Sequence, residues 1–141
     1  MVSPAEIRRI ALKLPGVEVV SDHYFAFGVR NKGKLKQFVW TWMERVDAKK
    51  PRVPNPAVLA VRVPSLAEKD ALIASKPATF FTEPHYDGFP AVLVRLAAIR
   101  TGTLETLIIE AWRTQASKDW LLSQRQTDRR EQARSGSARK R

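Results

Sequence analysis

The segment Phe80-Phe81-Thr82-Glu83-Pro84-His85-Tyr86-Asp87-Gly88-Phe89-Pro90-Ala91-Val92-Leu93-Val94-Arg95-Leu96 constrains this chain more than any other. Pro84 fixes its own φ and drives Glu83 towards extended geometry, while Asp87-Gly88 is a residue pair that readily accepts a tight turn. A sharp polar bend is therefore expected between Glu83 and Gly88. Beyond it, Val92, Val94 and Leu96 fall on one face of a strand and Ala91, Leu93 and Arg95 on the other. Both faces are largely apolar, which predicts a central strand covered on two sides.

The remaining elements follow from local signals. Ser3-Pro4-Ala5-Glu6 is a capping box with proline at the first helical position, and Ile7, Ile10, Ala11 and Leu14 follow at helical spacing until Pro15-Gly16. His23 to Val29 alternates as a strand, with Gly28 small where something approaches closely. Asn31-Lys32-Gly33-Lys34 is a hairpin turn that returns Leu35 to Met43 antiparallel. Asp47 to Pro56, with three prolines and three cations, reads as an exposed, stiff loop without core contacts. Ala57 to Val63 forms a further strand, and Ser65-Leu66-Ala67-Glu68 opens a short helix to about Ser75. Thr79 to Thr82 and Phe89 to Leu96 are the last strands. Thr103 is expected to cap a helix with Leu104, Leu107, Ile108, Ala111 and Trp112 on one stripe. Ser117 caps a last helical piece through Trp120, Leu121 and Leu122.

This order, α-β-β-β-α-β-β-α with hairpin-length links, predicts an α+β fold: an antiparallel sheet of about five strands with helices packed on one face. At 141 residues the chain can bury one core. Residues 1–123 are expected to form a single domain. Residues 124–141 are polar and basic, end in Ser-Gly-Ser-Ala-Arg-Lys-Arg, and lack the apolar content to order themselves.

The segment quoted above, followed by the Leu-rich helix ending Glu110-Ala111-Trp112-Arg113, resembles the MmcQ/YjbR family, with the likeness strongest from about Val58 to Arg113. The resemblance implies a small YjbR/CyaY-like α+β fold and DNA binding; it implies no defined chemistry.

Charge supplies an independent clue. The net charge is +11, and it is concentrated. Residues 30–52 hold Arg30, Lys32, Lys34, Lys36, Arg45, Lys49, Lys50 and Arg52 against Glu44 and Asp47, a local excess of +6; residues 125–141 supply the other +5. Two basic features on an otherwise neutral body point to a polyanionic partner. The absence of cysteine removes disulfides, thiolate nucleophiles and thiolate metal sites, and fits a reducing, cytoplasmic setting. No apolar run approaches the roughly 20 residues a transmembrane helix needs, and Met1-Val2-Ser3-Pro4-Ala5-Glu6 has no signal-peptide pattern.

Two groups of residues carry candidate chemistry. If alternation holds through the second hairpin arm, Lys34, Lys36, Phe38, Trp40 and Trp42 share a face, either as a base-stacking platform beside cations or as core aromatics with only the lysines in water. The second reading has the better physical case, because a small domain needs its large aromatics inside. In the bend, Glu83, His85, Tyr86 and Asp87 could serve as a base with its orienting group or a weak oxygen and nitrogen metal site. Both lack parts: the other histidine is His23, and no serine sits in a nucleophile elbow. The simpler reading gives Asp87 a turn bond and lets His85 and Tyr86 tie the loop to the sheet. Arg95, inside an apolar strand, is expected to reach an edge, a carboxylate or a phosphate.

The sequence thus predicts a non-catalytic nucleic-acid-binding protein, DNA being the expected partner, which contacts phosphates through Arg30, Lys32, Lys34, Lys36, Arg45, Lys49, Lys50 and Arg52 with help from the tail. It calls for no metal and no cofactor. The alternative is a small-ligand or protein-binding module centred on Glu83, His85, Tyr86, Asp87 and Arg95.

Overall fold

Ser3 opens the first helix as its spacing demands: its hydroxyl accepts from Glu6 N at 3.2 Å, and Glu6 Oε2 accepts from Ser3 N at 3.0 Å. In the computed structural model, which describes residues 1–21 and 25–122, this helix is α1 (Pro4–Leu12). It is followed by β1 (Val17–Val19), β2 (Ala26–Asn31), β3 (Lys34–Glu44), β4 (Val53–Arg62), α2 (Leu66–Ser75), β5 (Phe80–Phe81), a 3-10 turn at Pro84–Tyr86, β6 (Ala91–Arg95), a second 3-10 turn at Leu96–Ala98, and α3 (Thr101–Gln115). Residues 118–122 are again helical. His23 and the basic tail at 124–141 lie outside the described residues.

The strands form a single antiparallel sheet in the order β1-β2-β3-β4-β6-β5. The α+β architecture is as the sequence predicts, with six strands in place of five. The additional one, β1, is three residues directly after Pro15-Gly16, too short to show a period of its own. β6 lies next to the edge of the sheet rather than at its centre, between β4 and the two-residue β5, and its two faces divide as expected. Val92, Val94 and Leu96 join the main core with Ile7, Ile10 and Ala11 of α1 and Leu104, Ile108, Ala111 and Trp112 of α3. Ala91 and Leu93 belong to a smaller cluster on the opposite face with Val58, Ala60 and Tyr86. The helices therefore cover one face, and the 84–90 bend covers part of the other.

An irregularity corrects the alternation predicted for β3. Phe27 pairs with Val39 but Gly28 with Gln37, so Phe38 is an extra residue, a β-bulge. The bulge turns Phe38 and Val39 into the same core, both fully buried, and sends Trp40 to the helix-free face. Lys36, paired with Val29, stays on the helix side. The five residues Lys34, Lys36, Phe38, Trp40 and Trp42 consequently do not share a face, and no platform of tryptophans flanked by those lysines exists. Gly28 is small for the reason anticipated: a Cβ there would stand 2.9 Å from Leu35 Cγ.

The proline-rich stretch also departs from expectation. Val53, Pro54 and Asn55 pair with Glu44, Met43 and Trp42, so regular structure begins inside the predicted loop. β6 joins β4 only from Val58 onwards, so this first half of β4 has one neighbour strand, and the missing N–H groups of Pro54 and Pro56 break no second ladder. The loop is confined to 45–52. α3 likewise starts two residues before the predicted cap at Thr103; its N-cap is Arg100, without a side-chain cap bond. The Asn31–Lys34 turn forms as predicted, with Lys32 at φ 52° and Gly33 at φ 80°. No helix among the described residues is long and apolar enough to cross a membrane.

Candidate functional site

The eight cations of residues 30–52 do not form one patch. β3 is 11 residues long, so its two ends stand about 30 Å apart, with Arg30, Lys32, Lys34 and Lys36 at one end and Arg45, Lys49, Lys50 and Arg52 at the other. At the hairpin end, Arg30 is bound to Glu18, with Nε to Oε2 at 2.6 Å. That bond holds the Glu18 carboxyl below its usual range and Arg30 above its own. Lys32, Lys34 and Lys36 are exposed, and no carboxylate among the described residues is within 4 Å of them.

At the other end, the arginines are partly engaged. Arg45 Nη1 donates to the carbonyls of Ala48 at 3.2 Å and Lys50 at 3.3 Å, bracing the loop. Arg52 Nη1 donates to Met43 O at 3.0 Å and lies 3.7 Å from Glu83 Oε1. Lys49 and Lys50 are exposed and unpaired among the described residues. The local acids are used elsewhere: Glu44 accepts from Asn55 Nδ2 at 3.0 Å, and Asp47 accepts from Lys49 N at 2.9 Å. Neither carboxylate neutralises a lysine side chain.

The bend is built as a strap across the helix-free face. Pro84 starts a 3-10 turn in which Tyr86 N donates to Glu83 O at 2.8 Å, and Gly88, at φ 75°, allows the chain to turn back towards β6. Tyr86 is buried, and its hydroxyl accepts from Trp40 Nε1 at 3.0 Å. Burial raises the phenol pKa, against the opposing effect of that hydrogen bond. Tyr86 thus ties the loop to the sheet, whereas the turn bond expected of Asp87 and the tie expected of His85 are not made by their side chains. His85 is exposed and meets Tyr86 edge-on, while Asp87, also exposed, places its charge near Lys69. Among the described residues no group of three or more His, Asp or Glu side chains is arranged to hold a metal.

Arg95 meets neither a carboxylate nor the other bend residues. Its guanidinium lies 4.0 Å over the Phe81 ring and donates to Pro77 O at 3.2 Å and Ala78 O at 3.4 Å. Trp40 and Trp42 are half-buried, Trp40 held by Tyr86 and Trp42 packed edge-on against Phe81 at 5.5 Å. Their rings belong to the packing under the strap.

Sequence reasoning missed two residues. Lys69, on α2, is only 3% exposed, and its ammonium donates to the carbonyls of Tyr86 and Phe89. The signal that could have found it was its position: Lys69, Leu72 and Ile73 share the i, i+3, i+4 stripe, so a charge there had to find an internal partner. Arg62, in β4, stands 4.8 Å over the Phe89 ring, and its Nε is buried without a hydrogen-bond partner. Nothing in the Val-Arg-Val pattern around it distinguishes it from an ordinary exposed position of a strand.

Comparison with known proteins places the fold. The chain is similar to the crystal structure of Deinococcus radiodurans protein DR2400, a DUF419 family-model domain, with a TM-score of 0.58 and 18% identity over 79% of this chain and 77% of that one. At that identity the likeness concerns the fold alone. In sequence, it is 54% identical over 65 residues to the uncharacterised proteins Mb2600 of Mycobacterium bovis and Rv2570 of Mycobacterium tuberculosis, covering 46% of this chain. The chain spans about half the length of these curated relatives, the matched part being 50% of each. No family model matches it.

Proposed function

We propose that this protein is a non-catalytic nucleic-acid-binding protein of the MmcQ/YjbR type that contacts phosphates at both ends of β3. The observation that carries the reading is the set of five exposed lysines, Lys32, Lys34, Lys36, Lys49 and Lys50, none of which has a carboxylate partner among the described residues. Glu44 and Asp47, the acids closest in sequence to the second group, are occupied by Asn55 and by a backbone amide. The lysine charges are therefore not neutralised by their neighbours along the chain. Left unpaired, they create a positive field at two places that attracts a polyanion. Base readout is not part of the reading: the aromatic rings of the helix-free face are engaged with one another, which favours sequence-independent contacts to the backbone.

The deciding experiment is a titration of labelled duplex and single-stranded DNA, and of RNA, at several salt concentrations. It compares the native chain with a variant carrying Gln at Lys32, Lys34, Lys36, Lys49 and Lys50. Each phosphate contact removed lowers the slope of log affinity against log salt by roughly 0.7 to 0.9, so removing three flattens it by about 2. An unchanged slope in that variant, with binding lost instead in His85→Ala/Tyr86→Phe, would overturn the electrostatic reading and favour a ligand at the bend.

A further inference from the structure

A cavity of about 400 Å³ opens where the chain leaves α2 and, twenty residues later, enters α3; Lys76, Arg100 and Thr103 stand on its walls, and Phe80 and Ile99 supply an apolar part. This volume lies within the usual range of small-molecule sites, roughly 300–1,000 Å³. The two cations come from segments that are fixed to each other. Lys76 O accepts from Thr79 N at 3.0 Å and from Phe80 N at 2.9 Å, which closes the turn after α2, and Arg95 Nη1 braces that turn at the carbonyls of Pro77 and Ala78. Thr79, itself buried, donates its hydroxyl to Ala98 O at 3.0 Å and so clamps the turn to the segment that leads into Arg100.

Neither cation is used inside the protein. Among the described residues no carboxylate lies within 4 Å of Lys76 or Arg100, and neither side chain donates a hydrogen bond, whereas Arg45, Arg52 and Arg95 all commit theirs to backbone carbonyls. Two like charges on the walls of one concave site raise its potential, and a bound anion relieves their repulsion. Thr103 adds a hydroxyl that makes no hydrogen bond among the described residues.

We propose that this cavity binds a phosphate monoester, its charge taken by Lys76 and Arg100, one oxygen accepting from the Thr103 hydroxyl, and its organic body lying against Ile99 and Phe80. A monoester carries close to two negative charges at neutral pH and three strong acceptor oxygens, which matches two cations and a hydroxyl. A diester within a strand carries a single charge and matches them less well. Lys76 and Arg100 belong to neither lysine group of β3, so the site does not depend on the nucleic-acid reading.

The test uses the full chain and three probes, phenyl phosphate, phenyl sulfate and phenol, followed at fixed ionic strength by calorimetry and by the backbone amide NMR signals of Thr79, Arg100 and Thr103. The second phosphate pKa is about 6, so at about pH 7.5 phenyl phosphate is a dianion, whereas phenyl sulfate has the same shape and one charge fewer. Phenyl phosphate is expected to shift all three signals and to bind about tenfold more tightly than phenyl sulfate, with phenol weaker still. Lys76→Gln and Arg100→Gln, both at exposed positions, are each expected to weaken phenyl phosphate by about tenfold and to reduce its advantage over phenyl sulfate. The five-glutamine variant described above controls for the overall positive charge and should keep the full preference. A short single-stranded oligonucleotide with and without a 5′-phosphate separates two sources of the monoester. Tighter binding of the phosphorylated strand, lost in Arg100→Gln, supports the site with a strand end as its ligand; equal binding of the two strands beside a retained preference for phenyl phosphate supports it with a free small ester. Equal affinity for phenyl phosphate and phenyl sulfate in the native chain, signals that map elsewhere, a preference that survives both single variants, or one lost in the five-glutamine variant would each overturn the proposal.

Discussion

Lys69 Nζ donates to the carbonyl oxygen of Tyr86 at 2.6 Å, joining a helix on one side of the sheet to the strap on the other. The same ammonium reaches Phe89 O at 3.0 Å, so one charge closes both ends of the 86–89 turn. Lys69→Met keeps the stem but removes the charged donor from two carbonyls that keep only their backbone donors, Phe89 N on Tyr86 O at 3.0 Å and Ala91 N on Phe89 O at 2.8 Å, and is expected to destabilise the fold by roughly 1.5–3 kcal/mol, measured by urea unfolding. The pH dependence has a definite sign. Desolvation lowers the pKa of Lys69 below its ordinary 10.5, opposed by the charges of Asp87 and Asp70. Between the lowered value and 10.5 the unfolded chain holds more protons than the folded one, so this group adds stability as pH rises through that window. The stability gap between native chain and Lys69→Met should therefore widen from neutral pH towards pH 10.5, and a gap that narrows would contradict the burial of the charge.

Tyr86→Phe tests the other anchor of the strap. The substitution removes the acceptor for Trp40 Nε1 and keeps the ring packing with Phe89 and the sheet. Because Trp40 is only half-buried, water can replace the lost partner in part, and the expected cost is about 1 kcal/mol. Tryptophan fluorescence should report a more hydrated indole, and the far-ultraviolet spectrum should not change.

Gly88 and Gly28 are both needed, for different reasons, and substitutions separate them. At Gly88 a Cβ would meet nothing within 4 Å, but φ is 75°, so Gly88→Val should cost more than about 1 kcal/mol through the backbone alone, while Gly88→Asn should cost clearly less. At Gly28 the backbone is ordinary and the space is taken by Leu35 and Val20, so Gly28→Ala should cost about 1–3 kcal/mol through overpacking. The double variant Gly28→Ala/Leu35→Ala should recover part of the Gly28→Ala loss in thermal unfolding, whereas no partner substitution should rescue Gly88→Val.

These contrasts show where the sequence was readable. The capping box at Ser3, the turn at Lys32-Gly33 and the two-faced strand Ala91–Arg95 are set by residues within a few positions of each other, and each forms as the local chemistry requires. The bulge at Phe38 is different: strict alternation is locally as good, and only the joint burial of Phe38 and Val39 against α1 and α3 selects the irregular register. The same holds for Pro54 and Pro56, which are acceptable in β4 only because β6 stops pairing at Val58. The charge excess was visible in the sequence, but its division between two ends of a long strand was not, since proximity along the chain made Arg30 and Arg52 look like neighbours.

That division yields the last prediction. The two lysine groups stand about 30 Å apart along β3, close to nine base-pair steps of duplex at roughly 3.4 Å each. A duplex of about six base pairs can occupy only one group at a time, whereas one of about 16 can reach both. If both groups bind the same molecule, the salt slope should step up between those lengths by roughly 0.9 for each additional phosphate neutralised, about 2 or more in total. Lys32→Gln/Lys34→Gln/Lys36→Gln and Lys49→Gln/Lys50→Gln should each remove the step while leaving the short duplex bound through the remaining group. Both variants should fold normally, because every one of these side chains is exposed and unpaired among the described residues. A slope that grows smoothly with length in the native chain, or a step that survives both variants, would show that the two ends of β3 do not act on one nucleic acid.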